Sequence, residues 1–475
     1  MRIRLAVSVV AVAGALLLGC ANPLRQPAWR RPPPPTSDAP MIRPGSLVRG
    51  ELPNGLRTLV LEDRRLPRVV LGLTVRRGAA MVDPGQAGLA RFTTELMERG
   101  AGGRDAVALA EAVDEIGASL SVWAGWDAAG VEVSGLSRDL DRLVEILADV
   151  VLRPHFDPGE AEKVRSEALA YLEQAKDNPT TLVHWYTAQT LYAGHRFGSP
   201  HAGTPESVRQ LNERTARGFY RQIFLPNNAV LFGSGDLSGA DWASRAQASF
   251  GAWKPRALPE AGPPPPTLTP AERSVVIVDR PELAQAQISI AHEGISRTNP
   301  DRIAGSLMNS VIGGSGFSSR LTQRVRASAG LTYHVSSHFR LRREPGPFAV
   351  STFTRVDEAR RVVNLVLAEL ERARTSPPSP SEIEDARALA IGGFVLGLET
   401  SAAVMESLVD LDIYGLPEDS LDTYRARIRA TSTEAVERMV GELLHPDRAA
   451  IVLVGPADRL VPQFRDLGTP VVLQP

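Results

Sequence analysis

The sequence predicts an α+β fold in which one domain, a mainly antiparallel sheet packed with several helices, occurs twice. A proline-rich segment at 255–271 divides the chain into halves of comparable length, as a linker between domains does. The two halves also repeat the same patterns at an offset of 220 residues, measured from Pro226 to Pro446, which is how a duplicated unit appears in a sequence. We therefore expect domains at 47–254 and 272–475.

The repeat extends over several elements of each half. Residues 226–236 read PNNAVLFGSGD and residues 446–458 read PDRAAIVLVGPAD. Each is a turn, a short apolar run and a second turn, which predicts a buried strand. Earlier in each half, alternating strand patterns at 119–136 and 331–353 precede an amphipathic helical run, and Pro158 and Pro380 then stand where helices tolerate proline, in the first turn. Each half thus mixes hairpin strands with long helices.

The first twenty residues predict an export signal. Arg2 and Arg4 precede an apolar run over 5–18, which is too short for a comfortable membrane span, and Cys20 is the only cysteine in the chain. The stretch resembles a lipoprotein signal in which Cys20 becomes lipidated and anchors the chain to a bacterial membrane, facing the periplasm. An ordinary secretory signal with an incidental cysteine is the alternative. The proline-rich stretch 21–46 then forms a tether.

The overall charge excludes one class of partner. Lys and Arg together number 53 and Asp and Glu 54, so no overall positive field favours nucleic acid. A single cysteine leaves no internal disulfide, so stability depends on packing.

The first half opens with the turn sequence LPNGL at 52–56, which predicts a hairpin over 47–61. An apolar strand at 69–75, an Arg-Arg-Gly turn at 76–78 and a helix over 88–101 follow. This succession resembles the pitrilysin/insulinase family of zinc peptidases, and most closely its processing-peptidase branch, which works as two related chains. The resemblance extends over 47–460 and implies that family's fold and a peptide substrate.

The active-site motif of that family is altered in this chain. Where the family carries H-x-x-E-H, residues 91–95 read Arg-Phe-Thr-Thr-Glu. Arg91 and Glu95 replace the two histidines, Thr94 replaces the general base, and Glu173 lies near the third-ligand position. The resemblance therefore implies that this chain binds no zinc and that a homologous partner with H-x-x-E-H holds it.

The spacing of Arg91 and Glu95, one helical turn apart, predicts an ion pair between them. The guanidinium is then also expected to neutralise Glu173 where the metal would have done so. An ordinary exposed helix face with a weak pair is the alternative. None of the eight histidines lies at the motif. We expect five of them to be structural or surface residues: His184, His195, His201, His334 and His338.

The second half contains a glycine-rich stretch at 312–319. Nucleotide binding is disfavoured because the Gly-Lys-Ser/Thr ending of a phosphate loop is absent. We expect Gly313, Gly314 and Ser315 to contribute to substrate binding instead. Ser318 or Ser319 is expected to cap a helix that runs through 321–325 and ends at Gly330.

Arg326 and Tyr333 resemble a pair that the same family assigns to substrate binding and to stabilising the tetrahedral oxyanion. A guanidinium and a phenol are donors that suit developing negative charge. The alternatives are structural: Arg326 suits a helix C-terminus, and Tyr333 alternates with Leu331 and Val335 on a core-facing strand.

These observations predict the metal-free subunit of a two-chain peptidase that acts on extended peptides. The alternative from another class is a lipid-anchored scaffold or peptide-binding protein that lost catalysis. A self-sufficient hydrolase is not supported, because the sequence has no Gly-x-Ser-x-Gly elbow and no reactive cysteine.

Overall fold

The first sheet begins with the predicted hairpin. In this computed structural model, which describes residues 39–43, 45–259 and 272–475, strands β1 (Leu47–Glu51) and β2 (Arg57–Glu62) pair antiparallel, with Leu47 opposite Leu61. Gly55 lies in the turn with a φ of +80°, a conformation that favours glycine. The hairpin prediction is confirmed.

Several predictions fall outside the described residues. They are the signal sequence at 1–20 with Cys20, most of the tether at 21–46, and most of the linker at 255–271. The domain limits that depend on these segments stay predictions.

The other elements of the first half alternate strands with helices. In chain order they are β3 (Arg68–Val75), α1 (Leu89–Met97), the short strands β4 (Gly100–Ala101) and β5 (Arg104–Asp105), α2 (Ala106–Asp114), β6 (Ser119–Ala124), β7 (Ala129–Leu136), α3 (Leu140–Leu152), α4 (Pro158–Ala175), α5 (Pro179–Leu191), α6 (Pro205–Val208), α7 (Glu213–Ile223), β8 (Ala229–Gly235) and α8 (Gly239–Phe250). The predicted strands and the helix that begins at Pro158 are among them.

The second half repeats this order with small changes. It consists of β9 (Ser274–Asp279), β10 (Gln285–Glu293), α9 (Arg302–Asn309), two π-helical turns (Ser310–Gly314 and Thr322–Ser328), β11 (Val335–Phe339), β12 (Pro347–Arg355), α10 (Ala359–Thr375), α11 (Pro380–Gly397), α12 (Ser401–Tyr414), α13 (Ser420–Ala430), α14 (Thr433–Leu443), β13 (Ala450–Gly455), α15 (Ala457–Phe464) and β14 (Val471–Leu473).

The two six-stranded sheets have matching strand orders. The first is β1-β2-β8-β3-β7-β6 and the second, read in the same direction, is β14-β9-β13-β10-β12-β11. One edge differs, because β1 is antiparallel to β2 whereas β14 is parallel to β9. Both sheets are mainly antiparallel, so the predicted α+β fold with a duplicated unit is confirmed.

Each sheet has one face against helices of its own half and one face against a helix of the other half. On the first sheet, the second face carries Val230 and Phe232, which cluster with Val404 and Leu408 of α12. On the second sheet, Val276, Val278, Val452 and Val454 cluster with Leu182 and Val183 of α5. The halves therefore exchange helices, and each supplies part of the core of the other.

Ion pairs and hydrogen bonds accompany this exchange within the compact unit Pro40–Pro475. Asp412 of α12 accepts hydrogen bonds from Arg57 Nη1 at 2.5 Å and Arg76 Nε at 2.6 Å. Asp127 accepts from the Arg343 backbone N–H at 2.8 Å and from the Tyr414 hydroxyl at 3.0 Å. These contacts fix the first sheet relative to the second half.

No single helix in the described part of the chain has the length and apolar composition of a membrane span. The consecutive helices α11 and α12 meet that criterion only together, and they are bent by 111° at their junction.

Candidate functional site

Most of the surface of helix α1 packs against the hydrophobic core of the first half. Leu89, Phe92 and Leu96 are buried in that core. The helix follows Gly88, which has a φ of +93° and lies so close to Ala202 that an added Cβ would stand 2.8 Å from its carbonyl oxygen. A glycine is required at that position by both the backbone conformation and the space. Only the side that carries Arg91 and Glu95 remains half-exposed.

Arg91 and Glu95 form the ion pair that their spacing predicts. Arg91 Nε donates to Glu95 Oε1 at 2.6 Å. The guanidinium also lies over the ring of Tyr171 on α4, 4.6 Å from the ring centre, which is cation–π distance. Sequence reasoning did not assign Tyr171 a role. We refer to Arg91, Thr94, Glu95 and Tyr171 as the α1 site.

Thr94 is buried and bonded to its own helix. Its hydroxyl donates to the carbonyl of Arg91 at 3.0 Å, with a longer contact to that of Ala90. A hydroxyl held in this way has neither the basicity nor the freedom to act as a general base. The position where the family has its base is therefore occupied by a structural residue.

Glu173 lies apart from the α1 site, contrary to the expectation that Arg91 neutralises it. Its side chain is 75% exposed and pairs at 2.9 Å with the Nζ of Lys176, the residue that follows the last residue of α4. Residues 171 and 173 are about 200° apart around a helix, so Tyr171 faces α1 and Glu173 faces away. The predicted contact between Arg91 and Glu173 is not found in the described part of the chain.

The α1 site does not fit a zinc ion. Zinc is held by histidine, cysteine or carboxylate ligands, whereas here a guanidinium occupies one ligand position, and the carboxylate one turn away is already paired with it. Within residues 39–43, 45–259 and 272–475, no group of three or more His, Cys, Asp or Glu residues could hold a metal. As they are arranged, the described residues of the α1 site can form hydrogen bonds but do not supply three free ligands to a metal.

Two of the histidines that we expected to be structural lie close to this region. His201 packs edge-on against Trp126, with ring centres 5.4 Å apart, and burial lowers its pKa, with Arg91 adding to the effect. His195 packs edge-on against Phe197, and burial lowers its pKa to about 4. Both rings are therefore neutral near pH 7 and serve as packing partners.

Arg326 occupies a different environment in the second half. It lies half-buried in the π-helical turn Thr322–Ser328, with its guanidinium 4.6 Å from the ring centre of Phe317. Its neighbours Arg320 and Arg324 pair with Glu382 at 2.7 Å and Glu369 at 3.5 Å. Arg326 itself has no ion pair with any residue that the structure describes. Its hydrogen-bond donors are available to a ligand.

Tyr333 is not on a strand, contrary to the expectation that it alternates with Leu331 and Val335. Strand β11 begins only at Val335, and the Tyr333 side chain is 81% exposed. The hydroxyl of Thr332 accepts from the His334 backbone N–H and donates to the His334 carbonyl, a local turn that competes with the strand ladder. Tyr333 thus projects from a bend into solvent, and in the part of the chain that the structure describes it has no hydrogen bond or cation–π contact with Arg326.

The glycine-rich stretch packs against β11. Gly313 is buried, and a Cβ there would lie 2.4 Å from Ser337 Oγ. A Cβ at Gly314 would lie 2.7 Å from Asn309 Nδ2, and Ser315 Oγ accepts from Ser318 Oγ at 3.1 Å. These contacts give the glycines a packing role, and the substrate-binding role of residues 313–315 stays a prediction. The hydroxyl of Ser319 accepts from the Thr322 backbone N–H, so Ser319 is the predicted cap.

The fold and sequence resemble one family throughout. The family model described as "Insulinase (Peptidase family M16)" matches residues 57–205, and the model described as "Peptidase M16 inactive domain" matches residues 211–389. An uncharacterised zinc protease of Streptomyces coelicolor is 25% identical over 417 residues, which cover 87% of this chain and 90% of the relative. The mouse mitochondrial-processing peptidase subunit beta is 24% identical over 427 residues, which cover 88% of this chain and 86% of that protein.

Solved structures agree with this result. A peptidase M16 inactive domain from Pseudomonas fluorescens superposes with a TM-score of 0.78 at 27% identity, and the match covers 86% of this chain and 98% of that one. A protease from Helicobacter pylori superposes with the same TM-score at 16% identity, over 86% of this chain and 99% of that one, which shows the likeness of the fold alone. The predicted resemblance is confirmed.

Proposed function

We propose that this chain, which belongs to the peptidase M16 (insulinase) family, is the non-zinc-binding subunit of a two-chain peptidase. A homologous partner that carries H-x-x-E-H holds the zinc, and this chain contributes substrate binding and oxyanion stabilisation through Arg326 and Tyr333. Two findings support the proposal: part of the chain matches a family model described as inactive, and one relative is by name a subunit of a peptidase.

The unpaired guanidinium of Arg326 is the observation that carries this proposal. Its neighbours Arg320 and Arg324 are both paired with glutamates, whereas the Arg326 guanidinium lies over the exposed ring of Phe317 and has no ion pair among the described residues. A half-buried donor without a carboxylate partner is available to a peptide carbonyl or to developing negative charge. The exposed Tyr333 hydroxyl supplies a second donor on the same segment.

The test uses the complex of this chain with its H-x-x-E-H partner, purified from the native organism. The same complex is then reconstituted with variants of this chain. Arg326→Ala should lower kcat of the complex by about 10² to 10³, the range measured when one oxyanion donor is removed, while size-exclusion chromatography shows an intact complex. Arg91→Ala in this chain is the matched control and should change kcat by less than about threefold. Undiminished turnover of the Arg326→Ala complex would overturn the assignment.

The second candidate is a catalytically inactive scaffold or peptide-binding protein of the same fold. The α1 site favours it, because Arg91, Glu95 and Tyr171 satisfy one another without a ligand. The same co-purification separates the two candidates. Recovery of an H-x-x-E-H chain in stoichiometric amount supports the peptidase subunit, and recovery of the chain without one supports the scaffold.

We also propose that Cys20 is lipidated and that the protein faces the periplasm as part of the bacterial cell envelope. The basic and apolar pattern ahead of the only cysteine supports this. Labelled palmitate should be incorporated into the wild-type chain and not into Cys20→Ser, which should then move from the membrane fraction to the soluble fraction.

A further inference from the structure

The solvent-exposed side of helix α11 is apolar. Leu389 and Leu396 are 51% and 74% exposed, and they lie on the same side of the helix because two helical turns separate them. Gly392 and Gly393 lie between them, and a Cβ added to either glycine would meet no atom of another element within 4 Å. Residues 388–397 read ALAIGGFVLG and contain no charged side chain. We refer to Leu389, Gly392, Gly393 and Leu396 as the α11 stripe.

The opposite side of the same helix fixes the orientation of the α11 stripe. Three apolar residues of that side are buried in the core of the second half: Ile383, Ala386 and Ile391. A rotation of α11 that buried Leu389 and Leu396 would expose these residues to water at a large cost. The α11 stripe is therefore a fixed part of the protein surface.

The fold does not require this side of the helix to be apolar. Helix α4 has the matching place in the first half, and it also has 18 residues and begins with proline. Its residues 166–175 read SEALAYLEQA. Both glutamates in that stretch form ion pairs, Glu167 with Arg99 and Glu173 with Lys176. An exposed apolar side such as that of α11 commonly marks contact with another protein or with a membrane.

The polypeptide enters the compact unit Pro40–Pro475 close to the C-terminal end of α11. The backbone N–H of Met41 donates to Asp422 Oδ1 of α13 at 2.8 Å. The ring of Tyr424, also on α13, lies 4.6 Å from the ring of Phe394 on α11. Asp422 and Tyr424 point to opposite sides of α13, so about one helix diameter, 10 to 12 Å, separates the two contacts.

The proposed lipid anchor restricts what the surface near this entry point can meet. Residues 21–39 connect Cys20 to the compact unit, and a segment of that length spans at most about 65 Å when fully extended. A lipidated Cys20 would thus hold the C-terminal end of α11 permanently close to a bilayer. Contact between a tethered surface and the membrane is intramolecular in effect, so a small apolar surface is sufficient.

We propose that the α11 stripe lies in the headgroup region of the membrane to which Cys20 is anchored. Helix α11 by itself does not have the composition of a membrane span, so it lies along the membrane with Leu389 and Leu396 inserted toward the acyl chains. A lipid chain and a second membrane contact together give stable attachment, whereas one chain alone gives reversible binding. The proposal rests on the proposed lipidation of Cys20 and adds to it the surface of the folded protein that contacts lipid.

The test uses residues 20–475 with Cys20→Ser, which leaves the chain without a cysteine. An N-terminal hexahistidine tag holds it on vesicles of phosphatidylcholine and phosphatidylglycerol that contain a nickel-chelating lipid. The tether is then present whether or not Cys20 is lipidated in the cell. Sodium chloride at about 0.5 M screens the attraction of the tether arginines to anionic lipid.

The environment-sensitive dye NBD is attached at Leu396→Cys, and its emission should increase and shift to shorter wavelength when vesicles are added. The same dye at Val107→Cys, a position that is 66% exposed on α2, is the matched control and should not respond. Adding Leu389→Ser to the chain labelled at 396 should remove most of the response. Leu66→Ser, at a position that is 68% exposed in the first half, should leave the response unchanged.

Thermal melting monitored by circular dichroism establishes that each labelled chain is folded. No response at position 396, an equal response at position 107, or a response at 396 that requires the H-x-x-E-H chain instead of vesicles would overturn the proposal. The palmitate experiment tests the anchor separately, so a failed anchor and an uninserted α11 stripe give different results.

Discussion

The α1 site and the 317–333 segment each place an arginine on an aromatic ring, and they differ in what balances the charge. Arg91 lies 4.6 Å from the ring centre of Tyr171 and is paired with Glu95. Arg326 lies at the same distance from Phe317 and has no carboxylate partner among the described residues. In the first half, the arginine that stacks on a ring also has a carboxylate partner. In the second half, Arg326 stacks on a ring without such a partner, so its hydrogen-bond donors remain available to a ligand.

The second helix after the β6–β7 hairpin and the second helix after the β11–β12 hairpin account for this difference. Helices α4 and α11 both have 18 residues and start with proline. Helix α4 presents Tyr171 to the arginine of the α1 site, whereas α11 presents Glu382 to Arg320, which donates to both carboxylate oxygens at 2.7 Å. The carboxylate in the second half therefore anchors a neighbouring arginine, and Arg326 keeps its donors.

The largest expected effect comes from rebuilding the metal ligands of the α1 site. The variant Arg91→His, Glu95→His and Tyr171→Glu removes the cation and places three ligands where Arg91, Glu95 and Tyr171 now meet, which is the number that a catalytic zinc site needs. We expect it to bind close to one zinc per chain after dialysis, measured by atomic emission, whereas the wild-type chain retains almost none.

The matched control replaces Glu173 instead of Tyr171. The variant Arg91→His, Glu95→His and Glu173→Gln lacks a ligand from α4 at the α1 site, so its zinc should be lost on dialysis. Equal zinc in the two triple variants would show that Tyr171 does not occupy the third position, and stoichiometric zinc in the wild type would contradict the vacancy of the site.

An intermediate effect concerns the anchor of the 317–333 segment. Hydrogen bonds from Arg320 lower the pKa of Glu382 to about 2, from a usual value of 4.5. A carboxylate whose pKa is lowered in the folded state stabilises the protein above its unfolded pKa, and this stability is lost as pH falls from about 4.5 toward 2. With solvent screening included, we expect Glu382 to contribute about 1 kcal/mol.

Thermal melting of the wild type and of Glu382→Gln between pH 2 and 7 measures this contribution. Their difference in Tm should be present at neutral pH and vanish by about pH 2. Glu384→Gln is the matched control on the same helix, because Glu384 is 71% exposed and its pair is with Arg387 of that helix, so it should melt like the wild type. A Glu382→Gln difference that stays constant with pH would contradict the role of the carboxylate.

Much of the fold could be predicted because its signals are local. The turn at 52–56 defines a hairpin, the apolar runs define β3, β8 and β13, and Pro158 and Pro380 begin helices. The Arg91–Glu95 pair is local as well, since one helical turn brings the two residues together. The exchange of α5 and α12 between the sheets could not be predicted, because it depends on how the two halves dock.

The residue contacts across elements were harder to predict. The buried face of α4 is marked by apolar residues: Ala161, Val164, Leu172 and Ala175. Tyr171 lies beside that face, whereas Glu173 lies on the opposite side of the helix. The apolar pattern of α4 therefore indicates that Tyr171, and not Glu173, faces α1. The apolar residues Leu331 and Val335 alternate with Tyr333, and this pattern favours a strand at that position. In the structure the strand begins only at Val335. Gly330 has a left-handed backbone conformation, and the side-chain hydrogen bonds of Thr332 hold residues 332–334 in a local turn instead of a strand.

The smallest expected effect is the loss of the Arg91 cluster itself. Arg91→Met removes a half-exposed ion pair and a cation–π contact while keeping an apolar side chain over Tyr171. We expect it to lower the free energy of unfolding by about 0.5 to 1 kcal/mol in urea denaturation. A double-mutant cycle with Glu95→Gln should give a coupling energy of about 0.5 kcal/mol, because solvent screens the pair. A coupling above about 2 kcal/mol would show that the pair behaves as a buried one, and that the α1 site is kept for stability and not as a remnant of a metal site.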